Sequence, residues 1–311
     1  MIKHFDNINL RNLGYSFDFE IFRICSLINI KENSVLFVKK KKNNQYSNLM
    51  EVKNCLIFVD KDLSAKVLEF INRNLNKVIV CDNPRLEFII FLNDKIIPRN
   101  NNKVIPLING SYIDDSFILN DNVIIEPGCT IEANVIIGSR SIIRSGSRIL
   151  KNTIIGNNCT IDYNSIIGGD GFGLEKVGTK IVKMPHFGGV VIEDNVSVGA
   201  NCTIRSGGMD PTIIGENTVI DDSCVIAHNC NIGKSSIICG CSSLGGSVVL
   251  GEDVWVGSGS TIIQNITIEK KAIIGLGSVV RKNIKEGERV LGNPAITTIE
   301  YAMRESKIKF L

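Results

Sequence analysis

The chain has 311 residues, a formal net charge of +3 and 22% charged residues, which argues against a nucleic-acid-binding surface. No apolar run approaches the roughly 20 residues that a membrane-spanning helix requires, so no membrane insertion is expected. With no secretory leader read at the start, the ten cysteines are expected to be reduced thiols in a cytoplasmic protein.

Residues 1–108 read as a small α/β domain suited to holding a nucleotide. Strands are expected at Ser34 to Val38, Cys55 to Val59 and Lys77 to Cys81, with helical spacing over Lys61 to Leu75 and Pro84 to Leu92. The basic run Lys39 to Lys42 reads first as a solvated loop and second as a phosphate contact. Phe37 and Tyr46 are the aromatic candidates for stacking on a base, against the plain alternative that each is core.

From 109 to 283 a branched aliphatic residue returns every six positions, as at Ile131, Ile137, Ile143 and Ile149, and again at Ile220, Ile226, Ile232 and Ile238. Six is neither the period of a strand nor that of a helix; it belongs to a solenoid whose equivalent residues stack into interior columns. The slot two before the aliphatic residue is small and holds Cys129, Cys159, Cys202, Cys224 and Cys230. Glycines directly after it, such as Gly233, Gly257 and Gly275, are expected to supply left-handed backbone at the corners. Three hexads per triangular coil resembles the left-handed parallel β-helix of the hexapeptide-repeat proteins, a mainly β fold. Residues 284–311 form a tail, in which a short helix from Tyr301 to Phe310 is expected to cap the last coil.

Two breaks interrupt the period. Gly168 to Gly189, too rich in glycine for a coil, is expected to loop out carrying Phe172 and His186, candidate contacts for a substrate. A four-residue slip at Arg205 to Thr212 carries Asp210, a third candidate. Soon after comes Ile226-Ala227-His228-Asn229. Two places past a corner aliphatic, His228 points outward, where an imidazole titrating near neutrality can take the proton of an amine attacking a thioester; Asn229 beside it is a further contact. A carboxylate from Asp210 or Asp222 would orient its second nitrogen, and the sequence does not choose between them. No metal is expected: Cys239 and Cys241 form a lone C-x-C, and a zinc hydratase on such a solenoid would need three histidines.

The segments GGDGFG (168–173), KMPHFG (183–188) and VGANCTIRSGGMDPTIIGENTVIDDSCVIAHNCNIG (198–233) resemble the UDP-3-O-acylglucosamine N-acyltransferases of lipid A synthesis. The resemblance implies that His228 is the catalytic base and that Phe37 and Tyr46 hold the nucleotide; the flat-sided prism packs most simply as a closed three-fold ring, so a homotrimer is expected. The chain departs from the family at Arg205, where an aspartate is usual, and at Gln264-Asn265, where a second histidine stands. Its tail GSVVRKNIKEGERVLGNPA is similar to the coenzyme A site of hexapeptide acetyltransferases, which implicates Gly257, Gly275 and Arg281. The expected function is therefore transfer of an acyl group from acyl-CoA to a dTDP- or UDP-linked amino sugar. Its class is that of 4-amino-4,6-dideoxyhexoses such as anthrose in surface polysaccharides. The alternatives are the lipid A enzyme itself, with acyl carrier protein as donor, and a non-catalytic scaffold that binds sugar nucleotides.

Overall fold

The structure, a computed structural model, describes residues 7–39, 46–96, 107–108, 110–117 and 120–292. The expected helix at 301–310 lies outside the described residues.

The six-residue period folds as a triangular parallel β-helix. Each rung of two or three residues pairs in parallel with the rung one coil on: Thr130 and Ile131 with Arg148 and Ile149, Ile136 and Ile137 with Ile154 and Ile155, Ile142 and Ile143 with Thr160 and Ile161. Three sheets of ten, seven and nine strands result among the described residues, the outermost strand of the first being the antiparallel Leu107–Ile108. One aliphatic residue per rung points inward, and Ile131, Ile137, Ile143 and Ile149 are fully buried. Their columns make one continuous core along the prism.

The small slot holds serine as well as cysteine. The hydroxyls of Ser141, Ser147 and Ser242 donate to the carbonyls of Gly156, Asp162 and Gly257 at 2.8, 2.7 and 3.2 Å, so these three buried hydroxyls find partners inside the stack. All ten cysteines are free thiols.

Apart from Gly168, with φ of 94°, the corner glycines directly after the aliphatic residue have a different cause from the one expected. Left-handed φ falls instead on the residue three past the aliphatic, commonly asparagine, as at Asn195, Asn217 and Asn229 with φ of 60°, 59° and 59°; asparagine tolerates that region better than most side chains. Gly257 instead lies where the coils touch: a Cβ there would come 2.6 Å from the amide nitrogen of Leu276 in the next coil.

Both interruptions fall where the period breaks. Stacked partners lie 18 residues apart in a regular coil (Asn134 to Asn152), 37 apart across the first break (Asn158 to Asn195) and 22 apart across the second (Ala200 to Asp222). The first excursion carries an antiparallel hairpin of Leu174–Val177 and Lys180–Lys183. At the far end the rung Arg289–Val290 still pairs with Ile273 and Ile274, so the prism continues past the boundary expected at 283.

The N-terminal domain is a four-stranded parallel sheet of Arg23–Ile24, Ser34–Val38, Leu56–Asp60 and Lys77–Cys81. The helix Pro84–Phe91 covers one face. The segment Lys61 to Leu75 is not one helix: a 3-10 turn, Lys61–Leu63, leads into the short helix Ser64–Leu68. Buried Asn76 turns the chain there, accepting the Cys55 N–H at 3.0 Å and donating to the carbonyls of Val52 and Asn72. This domain docks on the two excursions. Met184 and Phe187 share a core with Val35, Phe58 and Phe88; Arg85 pairs with Glu175 at 2.9 Å; and Asn29 donates to the Asp210 carboxylate at 3.1 Å.

Candidate active site

His228 stands two residues past Ile226, where the rung Val225–Ile226 ends and the chain turns. Inward Ile226 anchors the rung, and Asn229 makes the left-handed turn. The Asn229 amide is held at both ends: Oδ1 accepts the Gly208 N–H at 3.1 Å and Nδ2 donates to the Asp210 carbonyl at 3.0 Å. The Asn229 N–H donates to Thr212 Oγ1 at 2.9 Å, whose hydroxyl donates to the Arg205 carbonyl at 2.7 Å. These bonds fix which end of the amide is oxygen. Its Oδ1 lies 3.1 Å from His228 Nδ1 and can only accept, so Nδ1 carries the proton and Nε2 keeps the lone pair.

Neither carboxylate expected to orient His228 does so. The Asp222 carboxylate accepts the Ala200 N–H at 2.7 Å, and Asp210 spends its carboxylate on Asn29 while offering its main-chain carbonyl to Asn229.

Two glycines let the chain close on the imidazole. A Cβ on Gly246, one coil on, would come 2.8 Å from both Cε1 and Nε2 of His228, and one on Gly171 would come 2.9 Å from its Cγ. His186, only 4% exposed, packs edge-on against His228 with ring centroids 5.5 Å apart. Burial pushes the His186 pKa down, as do the neighbouring His228 and Arg85, against an opposing pull from Asp170 and the Met184 main chain.

These groups line a cavity of about 780 Å³ between the N-terminal domain and the solenoid. It gathers Phe37, Phe172, His186, Asp210 and Asn229 around His228. Phe172 is 81% exposed, on the loop between Gly171 and Gly173. Tyr46 does not line this cavity. It opens the 3-10 turn Tyr46–Leu49, buried with Leu36 and Val38 on the opposite face of the sheet and packed on Phe70, whereas Phe37, alternating with those two along Ser34–Val38, takes the face toward the solenoid. Gly257 and Gly275 also lie away from the cavity. They follow rungs Trp255–Val256 and Ile273–Ile274, which belong to a different sheet of the prism from the His228 rung. Arg281 follows Val279–Val280, in the same sheet as the His228 rung and three rungs on, about 14 Å away at the usual spacing of paired strands.

Arg85, Gly171 and Gly246 join the lining or touch the imidazole without having been singled out; Lys39, read only secondarily as a phosphate contact, and Gln264 and Asn265, noted only as departures from the family, line the cavity too. The doubled glycine at 245–246, where most corners carry one or none, was the available signal for Gly246. Among the described residues no cluster of three or more metal-ligating side chains occurs, and no helix is long and apolar enough to cross a membrane. Cys230, two residues past His228, has its thiol pushed up to about 11 by burial, which leaves it a poor nucleophile.

Comparison with known proteins identifies the repeat and its family. The family model "Bacterial transferase hexapeptide (six repeats)" matches residues 118–151, and "Hexapeptide repeat of succinyl-transferase" matches 189–226 and 247–282. A UDP-3-O-acylglucosamine N-acyltransferase of Coxiella burnetii is 30% identical over 94% of this chain and 88% of its own length. The chain belongs to the UDP-3-O-acylglucosamine N-acyltransferase family. A member from Methylobacillus flagellatus is 31% identical over 75% of this chain and 69% of its own. For a member from Herminiimonas arsenicoxydans the match, 31% identical, spans 53% of this chain and 42% of that relative. Among solved structures, the UDP-N-acetylglucosamine acyltransferase from Campylobacter jejuni superposes with a TM-score of 0.53 at 26% identity, over 64% of this chain and 82% of that one. The enzyme of that type from Moraxella catarrhalis gives 0.54, over 63% and 76%. The solenoid is thus a left-handed parallel β-helix of the acyltransferase kind.

Proposed function

We propose that the chain moves an acyl group from a thioester to the amino group of a nucleotide-linked sugar bound in the His228 cavity. The observation that carries this reading is the imidazole itself, tied at Nδ1 to an amide oxygen so that Nε2 is left as the base, in a cavity that both domains wall. Phe37 offers a face for the base, and Lys39 and Arg85 offer positive charge for the diphosphate.

In the reaction the amine nitrogen attacks the thioester carbonyl, Nε2 of His228 takes the ammonium proton, the C–S bond breaks and the proton passes to the departing thiolate. Around the imidazole the coil ladder uses the N–H groups of Gly245 and Ser247; the intervening Gly246 N–H is the donor proposed for the developing oxyanion. The thioester arm would run along the same edge past Gln264 toward Arg281. A homotrimer would close that edge into a groove, and the exposed Ile136, Trp255 and Val279 on the outer faces are surfaces for such packing.

Family membership favours UDP-3-O-acylglucosamine as the acceptor over the 4-amino-4,6-dideoxyhexose expected first, and with it the acyl carrier protein as donor over coenzyme A. Acyl-CoA with a dideoxy amino sugar is kept as the second reading, because Gln264 and Asn265, the chain's own departure, line the cavity. A thiol-release assay with each acceptor, run with 3-hydroxyacyl carrier protein and with short acyl-CoA, separates the two. In either case His228→Ala lowers turnover by about two to four orders of magnitude, the worth of a general base. Near-full activity of that variant would remove His228 from the mechanism.

A further inference from the structure

His186 is a buried imidazole that the proposed chemistry leaves unused. It sits on the returning limb of the first excursion and is anchored on both sides. Met184 and Phe187 enter the core of the N-terminal domain, the Met184 N–H donates to the Gly173 carbonyl at 2.8 Å, and the Phe187 N–H donates to the Gly208 carbonyl at 2.9 Å. The ring therefore has little freedom. Gly171 covers it and His228 together: one added Cβ there would come 2.7 Å from His186 Nε2 and 2.5 Å from His228 Cβ. His186 Nδ1 is buried without a hydrogen-bond partner, although the Met184 main chain lies close enough to favour its charged form. An orphaned nitrogen is a cost that a core position would shed by becoming phenylalanine or leucine.

We infer that His186 is a positioning residue for His228, its ring edge holding the second imidazole in the one orientation that keeps Nδ1 on Asn229 and Nε2 toward the cavity. Three contacts then define the base: the Asn229 amide at Nδ1, the Gly246 main chain on one side, and the His186 ring, 5.5 Å away at 64°. The pair also divides the labour of protonation. The groups facing His186 are Asp170, which favours its charge, and His228 and Arg85, which oppose it, while burial outweighs them all. The charged form of His186 is thus disfavoured, and in the proposed reaction the proton taken from the amine resides on His228.

The inference rests on His228 being the base, and the test separates the two claims. The chain has three histidines, so ¹⁵N-imidazole spectra of the full-length resting protein resolve them without substrate. The expected wild-type result is one His228 tautomer with the proton on Nδ1, and a His186 signal that takes up its proton at lower pH than a free imidazole. In His186→Ala and His186→Gln, which remove the ring edge, the His228 signal should become a tautomer mixture. At the same time kcat should fall about tenfold, with KM for the acceptor changed less than twofold. Retention of a single His228 tautomer and of kcat within twofold in both variants would overturn the inference. So would a rise in KM alone, which would make His186 a substrate contact. Loss of the base reading is seen separately, in an active His228→Ala.

Discussion

Asn229 Oδ1 lies 3.1 Å from Nδ1 of the preceding His228, and the same amide accepts the Gly208 N–H and donates to the Asp210 carbonyl. One asparagine thus makes the left-handed turn of its coil, ties the second excursion to the solenoid and sets the tautomer of the neighbouring imidazole. Asn229→Ala should lower kcat about tenfold through a misoriented base, with a smaller loss of stability from the left-handed φ. Steady-state kinetics beside thermal unfolding checks this. A variant that loses stability yet keeps full kcat would show that the amide serves the fold alone.

Gly246→Ala addresses the space above the base. The new methyl would stand 2.8 Å from Cε1 and Nε2 of His228, so the ring must rotate out of place. Turnover should fall by about tenfold or more while the melting temperature stays within a few degrees, because the crowded partner is a side chain at the surface of the prism. Unchanged kcat would mean that the ring has room to move and still act.

Phe37 and Tyr46 should part company. Phe37 lines the cavity, so Phe37→Leu should raise KM for the nucleotide sugar about tenfold, in keeping with the worth of stacking one base on an aromatic ring. Tyr46 packs on Phe70 in a separate core, so Tyr46→Ala should cost about 3 kcal/mol of stability, as for other large aromatics, with no specific change in KM. Nucleotide titration followed by calorimetry distinguishes the two. Equal effects on binding would contradict the alternation of faces along Ser34–Val38.

His186 should make the protein sensitive to mild acid. Its folded pKa lies below the unfolded value of about 6.5, so above that pH folded and unfolded chains bind the same number of protons there. As pH falls below about 6.5 the unfolded chain takes up a proton that the folded chain refuses, and stability declines toward the depressed folded pKa. Carboxylates such as Glu126, held low by Arg144 and the Ser145 N–H, titrate further down and do not contribute in this window. The melting temperature of the wild type should therefore drop between pH 7 and 5.5, and that drop should shrink in His186→Phe. Parallel curves for the two proteins would assign the acid sensitivity elsewhere.

The sequence by itself determined the solenoid. A period of six, with one inward aliphatic and one small slot, is a local rule repeated many times, and each repeat states it independently of the rest. The same rule exposed the two interruptions as departures from register and placed His228 outside, because a residue two past an inward Ile226 has no core to enter. The sequence could not say why the corner residues are what they are: whether a glycine serves a left-handed turn or a close approach depends on what the next coil brings against it. Nor could it choose the partner of His228. Asp210, Asp222 and Asn229 are all near in sequence, and only the fold shows that the two carboxylates are engaged by Asn29 and Ala200. Tyr46 and His186 make the same point from opposite sides, one packed by its 3-10 turn into the core on the far face of the sheet and the other brought against His228 by a loop anchored in a different domain. Such pairings join residues far apart in the chain, so they are decided only when the excursions fold back and the N-terminal sheet docks on them.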